Sequence, residues 1–386
     1  VNPSIPYQSL GFQMAFSSHD QDSYFGKRNY NINQNSFYSS LIYNSIIGST
    51  LNKIKVGFNF SYDDFDEIVD INKTSYNRID NSIGGFFEYS YDSLDALSFV
   101  AGIRYDVHNN LGSFFTPRFH LRYQPFEKSV LRLSAGTGRK SSNIFSENQN
   151  IFTSGRQIKI SNEFGNFYGL DPEKAFNYGL SFRQGFFINN REGDITFDYY
   201  VTDFDNQVVV DWETQGEVSF YNLNGKSFAK SLQIDLEYQL SNNMLIKSTF
   251  KNFDVKKQYN SGVKINPLTP KNRFFTNLEV STNERENGSK WKFDFTYNWI
   301  GTQRLPTHTE LIEFEGYSPS YSLVNSQVTR VFSNKFEMYV GGENIGGYTQ
   351  SNPIVGGYPF GTDFDTSIVY APIHGALFYI GLRFNN

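Results

Sequence analysis

The feature that most constrains this chain is a strict two-residue alternation of aromatic and polar side chains. Between Trp291 and Trp299 every odd position is aromatic, and every even position is Lys, Asp, Thr or Asn. Successive side chains of a strand point to opposite faces, so this pattern predicts a strand with one aromatic and one polar face. Segments of this kind run for about 10 residues, the length that a tilted strand needs to cross a bilayer.

The alternation recurs along the whole chain and predicts an all-β protein of roughly 16 strands. The predicted strand cores lie near residues 7–17, 35–47, 52–63, 79–91, 96–108, 115–124, 129–139, 174–188, 193–211, 225–241, 244–257, 272–282, 289–302, 319–332, 335–346 and 368–384.

The connections between these segments alternate between short and long, which is typical of outer-membrane β-barrels with periplasmic turns and extracellular loops. Short links are predicted at Gly48–Leu51, Asp92–Asp95, Pro125–Lys128, Asn189–Glu192, Asn242–Asn243 and Ser333–Asn334. Long loops are predicted at 18–34, 64–78, 140–173, 212–224, 258–271, 303–318 and 347–367, while the links 109–114 and 283–288 are intermediate. A soluble propeller or sandwich is the alternative, but such folds do not need lipid-sized aromatic faces on strand after strand.

Composition agrees with a strand-based membrane protein. The chain has 39 Phe, 26 Tyr and no Cys, and its mean hydropathy is −0.47. No run approaches the roughly 18 apolar residues of a membrane helix, whereas barrel strands are apolar only at alternate positions. A net charge of −5 with mixed signs excludes the basic patch that nucleic acid requires. No secretion signal opens the chain, so we expect either a removed signal or an N-terminus further upstream.

Several motifs resemble one family. They are GGFFEYSY (Gly84–Tyr91), FFTPRFHLRYQP (Phe114–Pro125), RLSAGTGRKSSNIFSEN (Arg132–Asn148), LDPEKAFNYGLSF (Leu170–Phe182), DFDNQVVVD (Asp203–Asp211), GKSFAKSLQID (Gly225–Asp235), ENIGGYTQSNPI (Glu343–Ile354) and the closing segment Phe360–Phe384. From about residue 80 onward the chain resembles the C-terminal barrel of Bacteroidetes-type TonB-dependent outer-membrane receptors. Two departures are Ala376, where the family usually carries a basic residue, and Asn385 and Asn386, which follow the terminal aromatic.

The resemblance implies a 22-stranded barrel around a plug. With about 16 strands and no visible plug, residues 1–386 are expected to be the C-terminal portion of the barrel. The implied function is multi-pass outer-membrane uptake of a ferric siderophore, cobalamin, oligosaccharide or peptide. The implied partners are the TonB–ExbB–ExbD energy complex, the receptor's own plug and upstream strands, lipid and lipopolysaccharide, and a surface lipoprotein. A structural barrel subunit and a passive 16-stranded porin remain alternatives.

The longest predicted loop, 140–173, carries most of the candidate ligand-binding residues. These are Asn143, Phe145, Asn148, Gln149, Arg156, Phe164, Phe167 and Tyr168, joined by Trp212 and His308 from other loops. Amides, an arginine and aromatics suit a polar ligand with flat faces. The alternative is packing of the loop base, which is favoured for Asn143–Asn148 and balanced for Arg156–Tyr168.

No residue pattern indicates catalysis, a cofactor or a metal centre. The histidines His19, His108, His120, His308 and His374 lack a metal-binding spacing. The acidic run Asp63, Asp64, Asp66, Glu67 and Asp70 suits a hard cation, but a solvated loop or a lipopolysaccharide contact bridged by divalent cations is the favoured interpretation. No nucleophile or phosphate-loop motif is present, so we predict that the chain is not an enzyme.

Overall fold

The computed structural model describes residues 7–70, 72–93, 96–161, 166–307, 316–358 and 361–384, and within them sixteen long strands form one antiparallel sheet. These strands are β1 (Ser9–Phe25), β2 (Arg28–Ile47), β3 (Ser49–Val69), β4 (Thr74–Asp92), β5 (Leu97–His108), β6 (Gly112–Phe126), β7 (Ser129–Lys140), β9 (Glu173–Ile188), β10 (Arg191–Asn206), β13 (Ser227–Ser241), β14 (Met244–Tyr259), β16 (Asn272–Ser281), β17 (Lys290–Ile300), β18 (Tyr321–Ser333), β19 (Phe336–Glu343) and β20 (Leu377–Phe384). The predicted all-β class and number of long strands are confirmed.

Shorter elements lie in the connections. They are α1 (Ile144–Glu147), β8 (Gln157–Ile160), β11 (Val208–Asp211), β12 (Glu217–Asn222), β15 (Gly262–Ile265) and two 3₁₀ turns at Gln149–Thr153 and Asn166–Gly169. β8, β11 and β12 form a separate three-stranded sheet, and β15 pairs with β14. Among the described residues no helix is both long and apolar enough to span a membrane.

The two faces of the main sheet differ as the alternation predicts. On β17, Phe293 and Phe295 are 42% and 44% exposed, and across the ladders they oppose Val280 and Leu278 of β16 and Val328 and Ser326 of β18. The intervening side chains are polar. Large apolar side chains that remain exposed on one continuous face require lipid rather than water as their surroundings. The aromatic face is therefore the outer surface and the polar face lines the interior.

Two predicted long loops are wrong, because the strands continue through them. β1 and β2 meet at a tight turn at Gly26 and Lys27, and β3 pairs with β4 as far as Val69 and Thr74. The outer face of these stretches is rich in Asn and Asp, whereas the inner face also carries apolar side chains such as Phe65 and Val69, which are buried. Beyond the lipid the outer face no longer has to be apolar, so the backbone ladder continues although the pattern of apolar outer and polar inner side chains ends.

Two predicted strands are shorter than expected. The segment 193–211 divides into β10 and β11, and of 368–384 only 377–384 is strand. Ile368, Tyr370 and Ala371 instead pack with Leu305 and Val355 in a small core between loops. Their apolar character reflects burial in that core rather than contact with lipid.

The sheet has two open edges within the described residues. β1 pairs with β2, and β20 pairs with β19, but no ladder joins β1 to β20. Phe12 on β1 and Phe378 on β20 are 64% and 70% exposed. An unpaired strand edge in hydrocarbon leaves backbone groups unsatisfied at several kcal/mol each.

Candidate ligand-binding region at the loop-bearing end

One end of the sheet carries the long connections, and these fold together over the inner face of β2–β4. We call the resulting cluster of buried side chains the loop core. Its members are Tyr30, Ile32, Phe65, Val69, Ile144, Phe145, Ile151, Phe152, Ile160, Tyr168, Leu170, Val208, Trp212, Val218 and Phe220. The apolar side of each loop is buried against the others, so the loops behave as one packed unit.

A buried polar network joins the loop core to the barrel wall. Glu67 is fully buried, and its carboxylate accepts hydrogen bonds from Arg78 Nη1 (3.0 Å), Tyr168 Oη (2.5 Å) and Tyr30 Oη (3.1 Å). Arg78 also donates to Asn143 Oδ1. Burial, and next the nearby Glu67 carboxylate, raise the pKa of Tyr168, so its hydroxyl stays protonated as a donor. Asn143 and Tyr168 are thereby held at the base of the loop.

The acidic run around Glu67 does not form a single site. Asp63 and Glu67 face the interior, where Asp63 accepts from Ser36 and Glu67 from Arg78. Asp64 and Asp66 alternate to the opposite face of β3, and Asp70 pairs with Arg28. Among the described residues no group of three or more His, Cys, Asp or Glu is arranged to hold a metal ion.

Arg156 has the largest set of side-chain hydrogen bonds in the described loops. It is 1% exposed, and its Nε lies 2.6 Å from Asp365 Oδ2. Its Nη1 donates to the backbone oxygens of Trp212, Thr214 and Glu217 at 3.1–3.3 Å, and its Nη2 donates to Thr307 O at 3.4 Å. One side chain therefore ties together four separate connections.

The predicted ligand-contact residues divide by burial. Phe145, Arg156, Phe167, Tyr168 and Trp212 are buried in this structure, with the donors of Arg156 occupied by protein groups. In this structure they pack inside the loops, and their role in ligand contact stays a prediction. Asn143, Asn148 and Gln149 are partly exposed. Phe164 and His308 lie outside the described residues.

A cleft of about 620 Å³ opens beside the loop core, at the tip of the β1–β2 hairpin. Its walls include Phe25, Phe152 and Phe364, with Arg28 at its side. Arg28 Nη2 donates to Arg156 O at 2.5 Å and Nε lies 3.4 Å from Asp70 Oδ1, while Nη1 has no partner among the described residues. Sequence reasoning missed this cleft because its three segments are more than 100 residues apart in sequence.

Comparison with known proteins identifies the class. The family model for TonB dependent receptor-like β-barrels matches residues 3–345. The chain belongs to this family of TonB dependent receptor-like β-barrels. No curated protein matches the chain at a significant level.

Solved structures share the fold. A mutant of the ferric enterobactin receptor of Pseudomonas aeruginosa is 13% identical with a TM-score of 0.60, and the alignment covers 97% of this chain and 62% of that one. The copper transporter OprC is 11% identical with a TM-score of 0.68, and the alignment again covers 97% of this chain and 62% of that one. The siderophore receptor PiuA of Acinetobacter baumannii is 12% identical with a TM-score of 0.64, and the alignment covers 98% of this chain and 62% of that one. At these identities the likeness shows the fold, and the chain spans about 62% of these proteins' length.

Proposed function

We propose that residues 1–386 form the C-terminal portion of the barrel of a Bacteroidetes-type outer-membrane receptor. This receptor imports a scarce ligand, such as a ferric siderophore, cobalamin, an oligosaccharide or a peptide, with TonB-coupled energy. The observation that carries the proposal is the family match over residues 3–345, combined with loops that pack as one unit over one end of the barrel. The neighbouring solved structures include a siderophore receptor and a copper transporter, which agrees with uptake of a small ligand.

In this proposal the barrel wall and the loops have separate roles. The wall satisfies the backbone in lipid, and the loop core holds the mouth in one shape. The ligand then meets the partly exposed amides of Asn148 and Gln149 and the cleft beside Phe25 and Arg28. Translating the DNA upstream of Val1 tests the energy coupling. A plug sequence there supports active uptake, whereas a signal peptide directly before Val1 favours the porin or structural subunit.

Orientation in the membrane gives the first prediction. The loop around Asn150 is expected to be extracellular and the turn at Glu127 periplasmic, and both side chains are exposed. In whole cells, an impermeant thiol reagent should label Asn150→Cys and leave Glu127→Cys unlabelled until the outer membrane is permeabilised. The absence of native cysteines removes background from the chain itself. Labelling of Glu127→Cys alone in intact cells would invert the orientation.

The open edges give the second prediction. We propose that further strands of the same receptor close the sheet between β1 and β20. Cysteines at Phe12 and Phe378 should then fail to form a disulfide in native membranes, because paired strands must lie about 5 Å apart for this bond to form. A matched control is the pair Phe12→Cys and Leu41→Cys, which oppose each other directly in the β1–β2 ladder. Ready formation of the Phe12–Phe378 bond, or of one at a neighbouring register, would show direct closure and favour the 16-stranded porin.

A further inference from the structure

A cavity of about 550 Å³ lies against the inner wall of the barrel, below the loops. Lys251 of β14 and Arg273 of β16 line it, together with the amide side chains Gln233, Asn298 and Gln303. Tyr370 of the 344–376 connection also contributes to the lining and brings the cavity under the loops. The described lining contains no Asp or Glu, so its formal charge is positive.

The two cations of this cavity face each other, and the described part of the chain places no carboxylate within ion-pair distance of either. Lys251 and Arg273 are direct partners in the β14–β16 ladder, which brings their Cβ atoms to about 5 Å. Like charges in this position are destabilising unless an anion lies between or above them. Neither side chain forms an ion pair with any residue that the structure describes.

Asp235 does not neutralise them. It lies two pairs further along the β13–β14 ladder, opposite Thr249. Its two carboxylate oxygens accept hydrogen bonds from Gln233 Nε2 at 2.7 Å and from Thr249 Oγ1 at 2.6 Å. The carboxylate is therefore engaged with neutral donors and makes no ion pair with Lys251.

Another lysine on the same face of the same strand shows a different arrangement. Lys247 lies four residues before Lys251, and its Nζ lies 4.0 Å from Glu237 and 3.7 Å from Glu279 on the two neighbouring strands. Lys247 is thus neutralised by its neighbours, whereas Lys251 lies between Gln233 and Arg273. Within the described residues, the lack of a carboxylate beside Lys251 is therefore a local feature and not a general property of the inner wall.

We propose that Lys251 and Arg273 form a binding site for a small oxyanion inside the barrel. A guanidinium offers paired donors that match a phosphate or carboxylate, and an ammonium adds a point charge beside them. The amides of Gln233 and Asn298 supply neutral donors around the same cavity. The site goes beyond the proposed function, because it requires only the barrel wall and not a particular imported ligand.

Binding of inorganic phosphate to the purified protein in zwitterionic detergent tests this site. Thermal unfolding is followed as phosphate is added at constant ionic strength, with acetate titrated separately to distinguish phosphate from carboxylate recognition. Saturable stabilisation by either anion is expected. Lys251→Gln and Arg273→Gln should each lower the affinity for the anion that binds about tenfold, because each variant loses a charge-assisted contact. Lys247→Gln, the matched control, should leave its affinity within about twofold.

The anion-free proteins provide a second measurement. Removing one of two repelling charges should leave the unfolding temperature of Lys251→Gln unchanged or raised. Lys247→Gln should leave it unchanged or lower it slightly, because the two ion pairs that it removes are exposed. The proposal is overturned if neither anion stabilises the native protein saturably. It is also overturned if Lys247→Gln lowers the affinity for the anion as much as Lys251→Gln and Arg273→Gln do.

Discussion

Replacing Arg156 by alanine is expected to destabilise the loop core by about 3–5 kcal/mol while the barrel strands stay folded. The guanidinium is almost fully buried, so its removal leaves Asp365 as a buried carboxylate without its cationic partner. The backbone oxygens of Trp212, Thr214, Glu217 and Thr307 lose their donor at the same time. Hydrogen exchange of the loop amides in detergent measures the effect directly.

Lys159→Ala is the matched control for Arg156→Ala. Lys159 lies three residues further on in β8 and pairs with Glu217, but its side chain is 58% exposed. Exposed ion pairs contribute about 0–1 kcal/mol, so this variant should keep the exchange protection of the loops. Equal protection in Arg156→Ala and Lys159→Ala would contradict a central role for Arg156. Ligand binding, once a ligand is known, should weaken in Arg156→Ala although the side chain is inaccessible, because the mouth loses its shape.

The second large effect is expected at Phe295, on the outer face of β17. Phe295→Arg should cost about 2–4 kcal/mol, because it places a cation against hydrocarbon near the middle of the strand. The adjacent Thr296→Arg should cost much less, since Thr296 faces the interior and accepts a hydrogen bond from Asn277 at 2.9 Å. Reversible unfolding of the barrel in lipid vesicles compares the two variants. Equal costs at both positions would show that the assignment of faces is wrong.

The alternation of side chains was sufficient to predict most of the barrel wall. Trp291–Trp299 indicates both the strand and its two faces, because lipid on one side and a polar interior on the other impose opposite demands at alternate positions. The same pattern did not predict the strands beyond the membrane, where lipid no longer requires an apolar outer face. Near Gly26 and Val69 the outer face becomes polar, and apolar side chains such as Tyr30 and Val69 lie on the inner face instead, so continuing strands were interpreted as loops.

The candidate site was predictable only in its location. The loop 140–173 does lie at the loop-bearing end, and the packing interpretation of Phe145 agrees with its burial. The burial of Arg156 could not be predicted from the sequence, because the groups that accept its hydrogen bonds are 56 to 209 residues away along the chain. Whether an arginine in a loop meets solvent or a buried carboxylate depends on how distant connections pack.

The sequence by itself therefore determined the fold class, the number and faces of the long strands and the end that carries the loops. These follow from a local, two-residue period and from the thickness of the bilayer. Only the tertiary structure decided that Arg156 is buried, that Arg28 borders a cleft and that Lys251 faces Arg273. Those outcomes depend on strand register and on contacts between distant segments, which no local pattern specifies.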